Sequence, residues 1–256
     1  MVLYRSLKKG CAMKNALVTG ASRGIGRAIA LRLAGDGFRV AVTYAADEAA
    51  AKDVTGLIEE RGGAAFAVQA DLGVPADVNR LAEHLRQETP VLDVLVNNAG
   101  IAGSGPVEQE TPETYDRVFA VNVKGLFFLT QQVLPLIPDG GRIINVTSGV
   151  TRIAFPEGIA YAMSKGAVQT FTLALAKELG PRGITVNNIA PGIVDTDANA
   201  AWLRGNPEAE AYAASRHALN RIGQAGEIAN AVAFAASEQA SFITGSTIDV
   251  TGGGNL

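Results

Sequence analysis

The chain is poor in several residue types, and each shortage closes off a class of proteins. Among 256 residues there is one cysteine, Cys11, so no internal disulfide can staple the fold. A reducing compartment, the cytoplasm, is the expected home. Two histidines and no clustered carboxylates offer no ligand set for a catalytic metal. Charged residues make up 18% and sum to −3 without a basic stripe, which argues against a nucleic-acid surface. No apolar run approaches the roughly eighteen residues of a membrane-spanning helix. Residues 1–13 carry Arg5, Lys8 and Lys9 but lack the apolar stretch of a secretion signal.

What is plentiful is apolar: 48% of residues, enough for a full core and too much for a disordered chain. The 29 glycines are scattered without a period, which excludes a collagen-like or low-complexity chain. Residues 1–13 read as a poorly ordered extension, with Met13 an alternative start, and 14–256 as one domain with no polar linker.

Short apolar runs alternate with helical patterns along that domain. Strands are expected at Asn15–Thr19, Arg39–Tyr44, Ala64–Ala70, Leu92–Asn97, Arg142–Thr147, Thr185–Ile189 and Ser246–Val250. Between them, helices are expected near Gly24–Asp36, Glu48–Arg61, Ala76–Gln87, Pro112–Leu136 and Ile159–Leu179. Strands that are apolar throughout, each followed by a helix, imply an α/β fold. The expected architecture is a doubly wound, Rossmann-type parallel sheet of about seven strands, with helices on both faces and right-handed crossovers.

Gly20, Gly24 and Gly26 follow the first strand and open the first helix. Lacking side chains, they let backbone N–H groups approach a pyrophosphate at a helix N-terminus. The spacing is G-x-x-x-G-x-G, and an ordinary strand-to-helix turn is the bland alternative. The second strand ends without an acid until Asp47, while Arg23 sits inside the glycine turn. An acid there would bind a ribose 2′-hydroxyl, and a base suits a 2′-phosphate, so NADP is favoured over NAD. On the other reading, Arg23 is solvated and Asp47 only caps the second helix. Asp71 and Asn97-Asn98-Ala99-Gly100 fall at carboxyl ends of strands, where such sheets bind ligands. Asp71 can accept from an adenine amino group or cap the third helix.

Tyr161 and Lys165 share one helical face, with Ser148 at the end of the fifth strand. A phenol titrates near ~10, so a neighbouring ammonium and an oxidised nicotinamide are expected to lower its pKa. Tyr161 then exchanges a proton with a carbonyl or alcohol oxygen, Ser148 orients that oxygen, and Lys165 tunes the phenol and binds the nicotinamide ribose. Asn122 is assigned a water linking Lys165 to solvent.

These motifs together resemble the short-chain dehydrogenase/reductase family over about residues 14–256. The resemblance rests on Thr19-Gly20-x-x-x-Gly24-x-Gly26, Asp71, Asn97-Asn98-Ala99-Gly100, Asn122, Ser148, Tyr161-x-x-x-Lys165 and Pro191-Gly192. It implies a catalytic tetrad of Asn122, Ser148, Tyr161 and Lys165. It also implies a nicotinamide contact at Pro191, Gly192, Ile193 and Thr196, and a tetramer or dimer built on the two long helices and the last strand. The expected cofactor contacts further include Ser22, Arg23, Ile25, Tyr44, Leu72, Asn98, Ala99 and Gly100. Within the family the chain is most similar to 3-oxoacyl-acyl-carrier-protein reductases and bacterial carbonyl reductases. The loop Pro138–Gly141 carries an acid and no base before Arg142, and Lys177 is the one base suited to an acidic carrier. A free ketone or aldehyde is thus at least as good a substrate. The expected function is NADPH-dependent carbonyl reduction, against an NAD-dependent alcohol or sugar dehydrogenase or a non-catalytic NADP sensor.

Specificity is expected from Gly149–Gly158 and from a lid at Asp195–Leu219. In the lid, Trp202 is read as an anchor to the core and His217 as a surface or supporting residue.

Overall fold

The computed structural model describes residues 13–102 and 105–254. The expected disorder of the extension falls on residues 1–12, outside the described residues, and on Met13, which lies within them and is exposed.

Strands β1 (Asn15–Val18), β2 (Arg39–Tyr44), β3 (Ala64–Gln69), β4 (Val94–Asn97), β5 (Arg142–Val146), β6 (Thr185–Pro191) and β9 (Thr247–Val250) form one sheet. Two short strands, β7 (Val194–Asp195) and β8 (Gly223–Gln224), pair apart from it. The order in the main sheet is β3-β2-β1-β4-β5-β6-β9, and every pairing is parallel. The chain reverses its direction of growth between β1 and β4, which opens a crevice at their carboxyl ends.

Alternate residues of the strands feed two cores, as strand pleating requires. Val18, Val40, Val42, Val96 and Ile144 meet helices α1 (Gly24–Gly35), α2 (Glu48–Glu60) and α9 (Ala225–Ala236) on one face. Leu17, Ala41, Leu95, Ile143 and Val186 meet α3 (Pro75–Glu88), α5 (Leu126–Val133) and α6 (Ile159–Leu179) on the other. Two further helices, α7 (Ala200–Leu203) and α8 (Pro207–Ser215), lie in the expected lid.

Two departures from the sequence expectation matter. Helix α9 falls where no helix was expected. Its N-terminus is closed by a capping box, with Gln224 N–H donating to Glu227 Oε2 at 2.9 Å. The expected helix Pro112–Leu136 is not continuous. It comprises α4 (Pro112–Phe119), a π-helical turn at Ala120–Gly125, α5, and a closing 3-10 turn at Leu134–Leu136. The cause is a close crossing: any side chain on Gly125 would overlap the backbone carbonyl of Leu72. The backbone at that point is set by tertiary contact rather than by helix propensity.

A buried polar row crosses the sheet beneath the crevice. Asn97, Asn145, Asn188 and Thr247 occupy matching registers on β4, β5, β6 and β9. Asn97 Nδ2 donates to Asn145 Oδ1 at 2.9 Å, and Asn145 Nδ2 donates to Thr172 Oγ1 at 2.8 Å. Thr172 Oγ1 reaches Asn188 Oδ1 at 2.7 Å, and Asn188 Nδ2 donates to Thr247 Oγ1 at 3.2 Å. Such a row costs little only while every member is paired.

The substitution Gly125→Ala is expected to destabilise the protein by about 2 kcal/mol, because the Leu72 carbonyl is backbone and yields poorly. Urea unfolding checks this; an unchanged midpoint would show that the crossing is slack.

Candidate active site

The crevice between β1 and β4 is held shut at its base by side-chain to backbone bonds. Thr19 Oγ1 accepts from the N–H groups of Asn98 and Ala99, each at 2.9 Å. Asn98 Nδ2 donates to the carbonyls of Thr19 at 2.8 Å and Gly20 at 3.1 Å. A Cβ on Gly26 would overlap both the Gly20 carbonyl and the Asn98 amide, so only glycine fits. Thr43 Oγ1 accepts from Gly20 N–H at 3.1 Å and fixes the turn from the other side.

Helix α1 begins without a side-chain cap at Arg23 and without an acid in its first turn. Its free amides, around Gly24, Ile25 and Gly26, are left for an anion. Thr196 packs across Gly24. These residues fit the pyrophosphate of a dinucleotide. Of the basic residues nearby, Arg27 is paired with Asp53 at 3.3 Å, whereas Arg23 is exposed beside Ser22.

Asp47 caps α2, accepting from Ala50 N–H at 2.9 Å. Asp71 does not cap α3, whose cap position is Val74. Its carboxylate instead binds Arg117 Nη2 at 2.7 and 3.0 Å and accepts from Gly73 N–H at 2.9 Å. Burial pushes the Asp71 pKa up, but the Arg117 and Gly73 hydrogen bonds outweigh it and hold the carboxyl below its usual range. Tyr44 and Leu72 have core side chains, so what they can offer a ligand is mainly backbone.

The other half of the site assembles where β5 meets α6 and the π-helical turn. Ser148 follows β5, its Oγ accepts from Val150 N–H at 3.3 Å, and its side chain hydrogen-bonds the Tyr161 phenol. Lys165 is buried, with Nζ donating to the Val146 carbonyl at 2.9 Å and lying 5.7 Å from the Tyr161 ring centre. Asn122 Oδ1 accepts from Ile101 N–H at 2.9 Å. Its Nδ2 donates to the Ile101 carbonyl at 2.9 Å and to Ser164 Oγ at 3.0 Å. Both amide hydrogens of Asn122 thus go to protein, and only Oδ1 keeps capacity for a water.

The protonation balance differs from the sequence expectation. Burial raises the Tyr161 pKa, only partly offset by the Ser148 hydrogen bond. Burial also lowers the Lys165 pKa to about 8. Both groups lean toward their neutral forms, because each is surrounded by protein and the ammonium has only a carbonyl partner.

The lid differs from expectation too. Trp202 is 41% exposed and donates to Asn199 Oδ1 at 3.2 Å, so it anchors nothing, and Leu203 is the buried residue of α7. His217 is buried rather than superficial. The loop Pro138–Gly141 lies at the amino end of β5, opposite Ser148, and Lys177 is about 18 Å along α6 from Tyr161. Neither bears on docking at this site.

The model of the family described as "Enoyl-(Acyl carrier protein) reductase" matches residues 20–255. The 3-oxoacyl-[acyl-carrier-protein] reductase FabG of Staphylococcus aureus is 41% identical over 242 residues, covering 94% of this chain and 97% of its own. The chain belongs to the short-chain dehydrogenase/reductase family. Two ketoreductases of known structure are similar throughout. LugOII, titled a promiscuous reductase catalysing keto-reduction at C1 in lugdunomycin biosynthesis, superposes with a TM-score of 0.90 at 49% identity over 95% of this chain and 98% of its own. The landomycin C-6 ketoreductase LanV, with bound NADP and rabelomycin, gives 0.86 at 47% over 95% and 96%.

Sequence reasoning missed several supports of this short-chain dehydrogenase/reductase site. Thr19 and Thr43 are buried at the carboxyl ends of strands, and that position was the available signal. Ser164, which accepts from Asn122 and donates to the Tyr161 carbonyl at 2.7 Å, lies beside Lys165 in sequence. Arg117 left no signal, because its partner Asp71 is distant along the chain. Among the described residues no group of His, Cys, Asp and Glu is placed to hold a metal, and no helix is long and apolar enough to cross a membrane.

Lys165 binds its proton more weakly in the fold, near 8, than in the unfolded chain, near 10.5. Between those values the unfolded chain holds the extra proton, so this group makes the ligand-free protein more stable as pH rises from 8 to 10. The gain is up to about 3 kcal/mol. Urea unfolding of wild type and Lys165→Met across this window should show a slope only in wild type.

Proposed function

We propose that this chain is an NADPH-dependent reductase that converts a free ketone to a secondary alcohol, with Tyr161 as the proton donor. The observation that carries the reading is the Ser148–Tyr161–Lys165 cluster beside an uncapped, glycine-walled helix N-terminus. NADP favours itself through Arg23, exposed in the glycine turn with no acid ending β2, and through the NADP bound in LanV.

The nicotinamide, when bound, supplies the hydride to the carbonyl carbon. Tyr161 Oη gives its proton to the carbonyl oxygen as the C–O double bond becomes single. Ser148 Oγ donates to the same oxygen and fixes its direction. The resulting phenolate is stabilised by the Lys165 ammonium, which also binds the nicotinamide ribose. Asn122 holds the Ile101 backbone and the Ser164 end of α6 in register, so that Tyr161 and Lys165 keep their spacing. Ser22, Arg23, Gly24 and Ile25 hold the phosphates, while Asp71 and Asn98–Gly100 flank the nucleoside. Pro191, Gly192, Ile193 and Thr196 line the nicotinamide side.

A free ketone is favoured by the higher identity to ketoreductases, 47–49%, than to the acyl-carrier reductase, 41%. Phe155 and Ile159, just before Tyr161, and Leu219, ending the lid, are apolar and exposed, which suits an apolar ketone. A 3-oxoacyl thioester is the second reading, supported by the FabG relative. The chain acts as a tetramer or dimer, since Phe127, Phe128 and Leu173 on α5 and α6, and Phe242 before β9, stand exposed. Light scattering on the purified protein tests that assembly, and a monomer would refute it.

NADPH oxidation followed at 340 nm should be brisk with apolar cyclic ketones and slower with 3-oxoacyl thioesters; the reverse order would select the second reading. Tyr161→Phe should cut kcat by about a hundredfold or more while leaving NADPH affinity nearly unchanged, because only the proton donor is lost. Arg23→Ala should weaken NADPH severalfold and NADH little; equal effects would free Arg23 of the 2′-phosphate.

A further inference from the structure

His217 lies between α8 and β8, buried to 6% exposure in a chain with only two histidines. Its Nε2 accepts from the backbone N–H of Ile193 at 3.3 Å. The neutral ring therefore carries its proton on Nδ1, and that buried N–H has no acceptor among the described residues. An apolar side chain would avoid the unpaired group, so burial alone does not account for a histidine here.

The surroundings show what the imidazole does. A Cβ on Gly192 would stand 3.1 Å from His217 Nε2 and 2.9 Å from the Thr251 Cα, so the ring and β9's exit form the wall behind the Pro191–Ile193 turn. The flanking backbone is tied down on two sides. Ala218 and Leu219 N–H donate to the carbonyls of Gly253 and Gly252 at 3.1 Å each. Gly223 N–H donates to the Ile193 carbonyl at 3.0 Å, starting the β7–β8 pairing. Ile193 is thus held at its N–H by His217 and at its carbonyl by Gly223, with the lid helices α7 and α8 lying in the chain between β7 and His217.

We propose that His217 is a positioning residue for cofactor binding: through Nε2 it fixes the Ile193 amide and couples the end of the lid to the turn that faces the nicotinamide. The proposal rests on the reading of Pro191–Ile193 as the nicotinamide side. His217→Leu keeps the volume and removes the acceptor. His217→Gln restores an acceptor, Oε1, at the reach of Nε2.

The test is NADPH binding to the protein without substrate, read by cofactor fluorescence, together with the thermal midpoint of the ligand-free protein and the KM and kcat for reduction. Loss of one backbone hydrogen bond at the turn should weaken NADPH about fivefold in His217→Leu. KM for NADPH should rise with it, and kcat should change less. The ligand-free midpoint should hold, because the unpaired Nδ1–H leaves with the ring, and His217→Gln should recover most of the affinity. Wild-type affinity in His217→Leu, or a lost midpoint with no recovery in His217→Gln, would overturn the proposal. Failure of wild type itself to bind NADPH would instead overturn the cofactor reading beneath it.

Discussion

Five residues, Asn97 to Ile101, join the two halves of this molecule. Asn97 belongs to the buried polar row that runs across β4, β5, β6 and β9. Asn98 and Ala99 interlock with Thr19 and Gly20 and thereby set the wall of the glycine turn. Gly100 lies against Lys165 Nζ and Asn122 Oδ1, and Ile101 takes two hydrogen bonds from and to the Asn122 amide. A single stretch of backbone thus meets the phosphate turn at one end and the Tyr161–Lys165 helix at the other. Displacing it by a fraction of an ångström would disturb both, because neither half has slack in which to absorb the change.

The electrostatics of the catalytic half follow from the same close fit. Lys165 has a carbonyl and a ring edge as neighbours and no carboxylate, so burial governs its proton. Tyr161 is governed likewise. In a wetter site the lysine would stay charged without help, and the phenol would ionise nearer its ordinary value. Here the balance is poised, so that a charge arriving beside the pair acts on groups already displaced toward exchange.

Much of this was legible in the chain. The parallel strands announce themselves as apolar runs without alternation, because both faces of the sheet are covered. The glycine turn and the Tyr161–Lys165 spacing are local patterns, and local patterns survive in sequence. What escaped was set by contacts between distant segments. The π-helical turn arises where Gly125 crosses Leu72, which no helix propensity reports. Asp71 turned from α3 to Arg117, and His217 turned inward to Ile193, each through a partner far along the chain or across a loop. Helix α9 was overlooked because its alanine-rich sequence has a weak apolar stripe, and its cap is Gln224 rather than serine or threonine.

The π-helical turn also fixes how this chain can change in length. Such a turn holds one residue more than an α-helical one, and the chain continues from it directly into α5. Removing a single residue between Ala120 and Gly125 would restore a regular helix, but would rotate everything after it by about 100°. Leu129 and Val133 would swing out of the core, and Phe127 and Phe128 would leave the surface they now share. The extra residue acts as a phase setting for the whole following helix, so insertions and deletions are far less tolerable there than point substitutions.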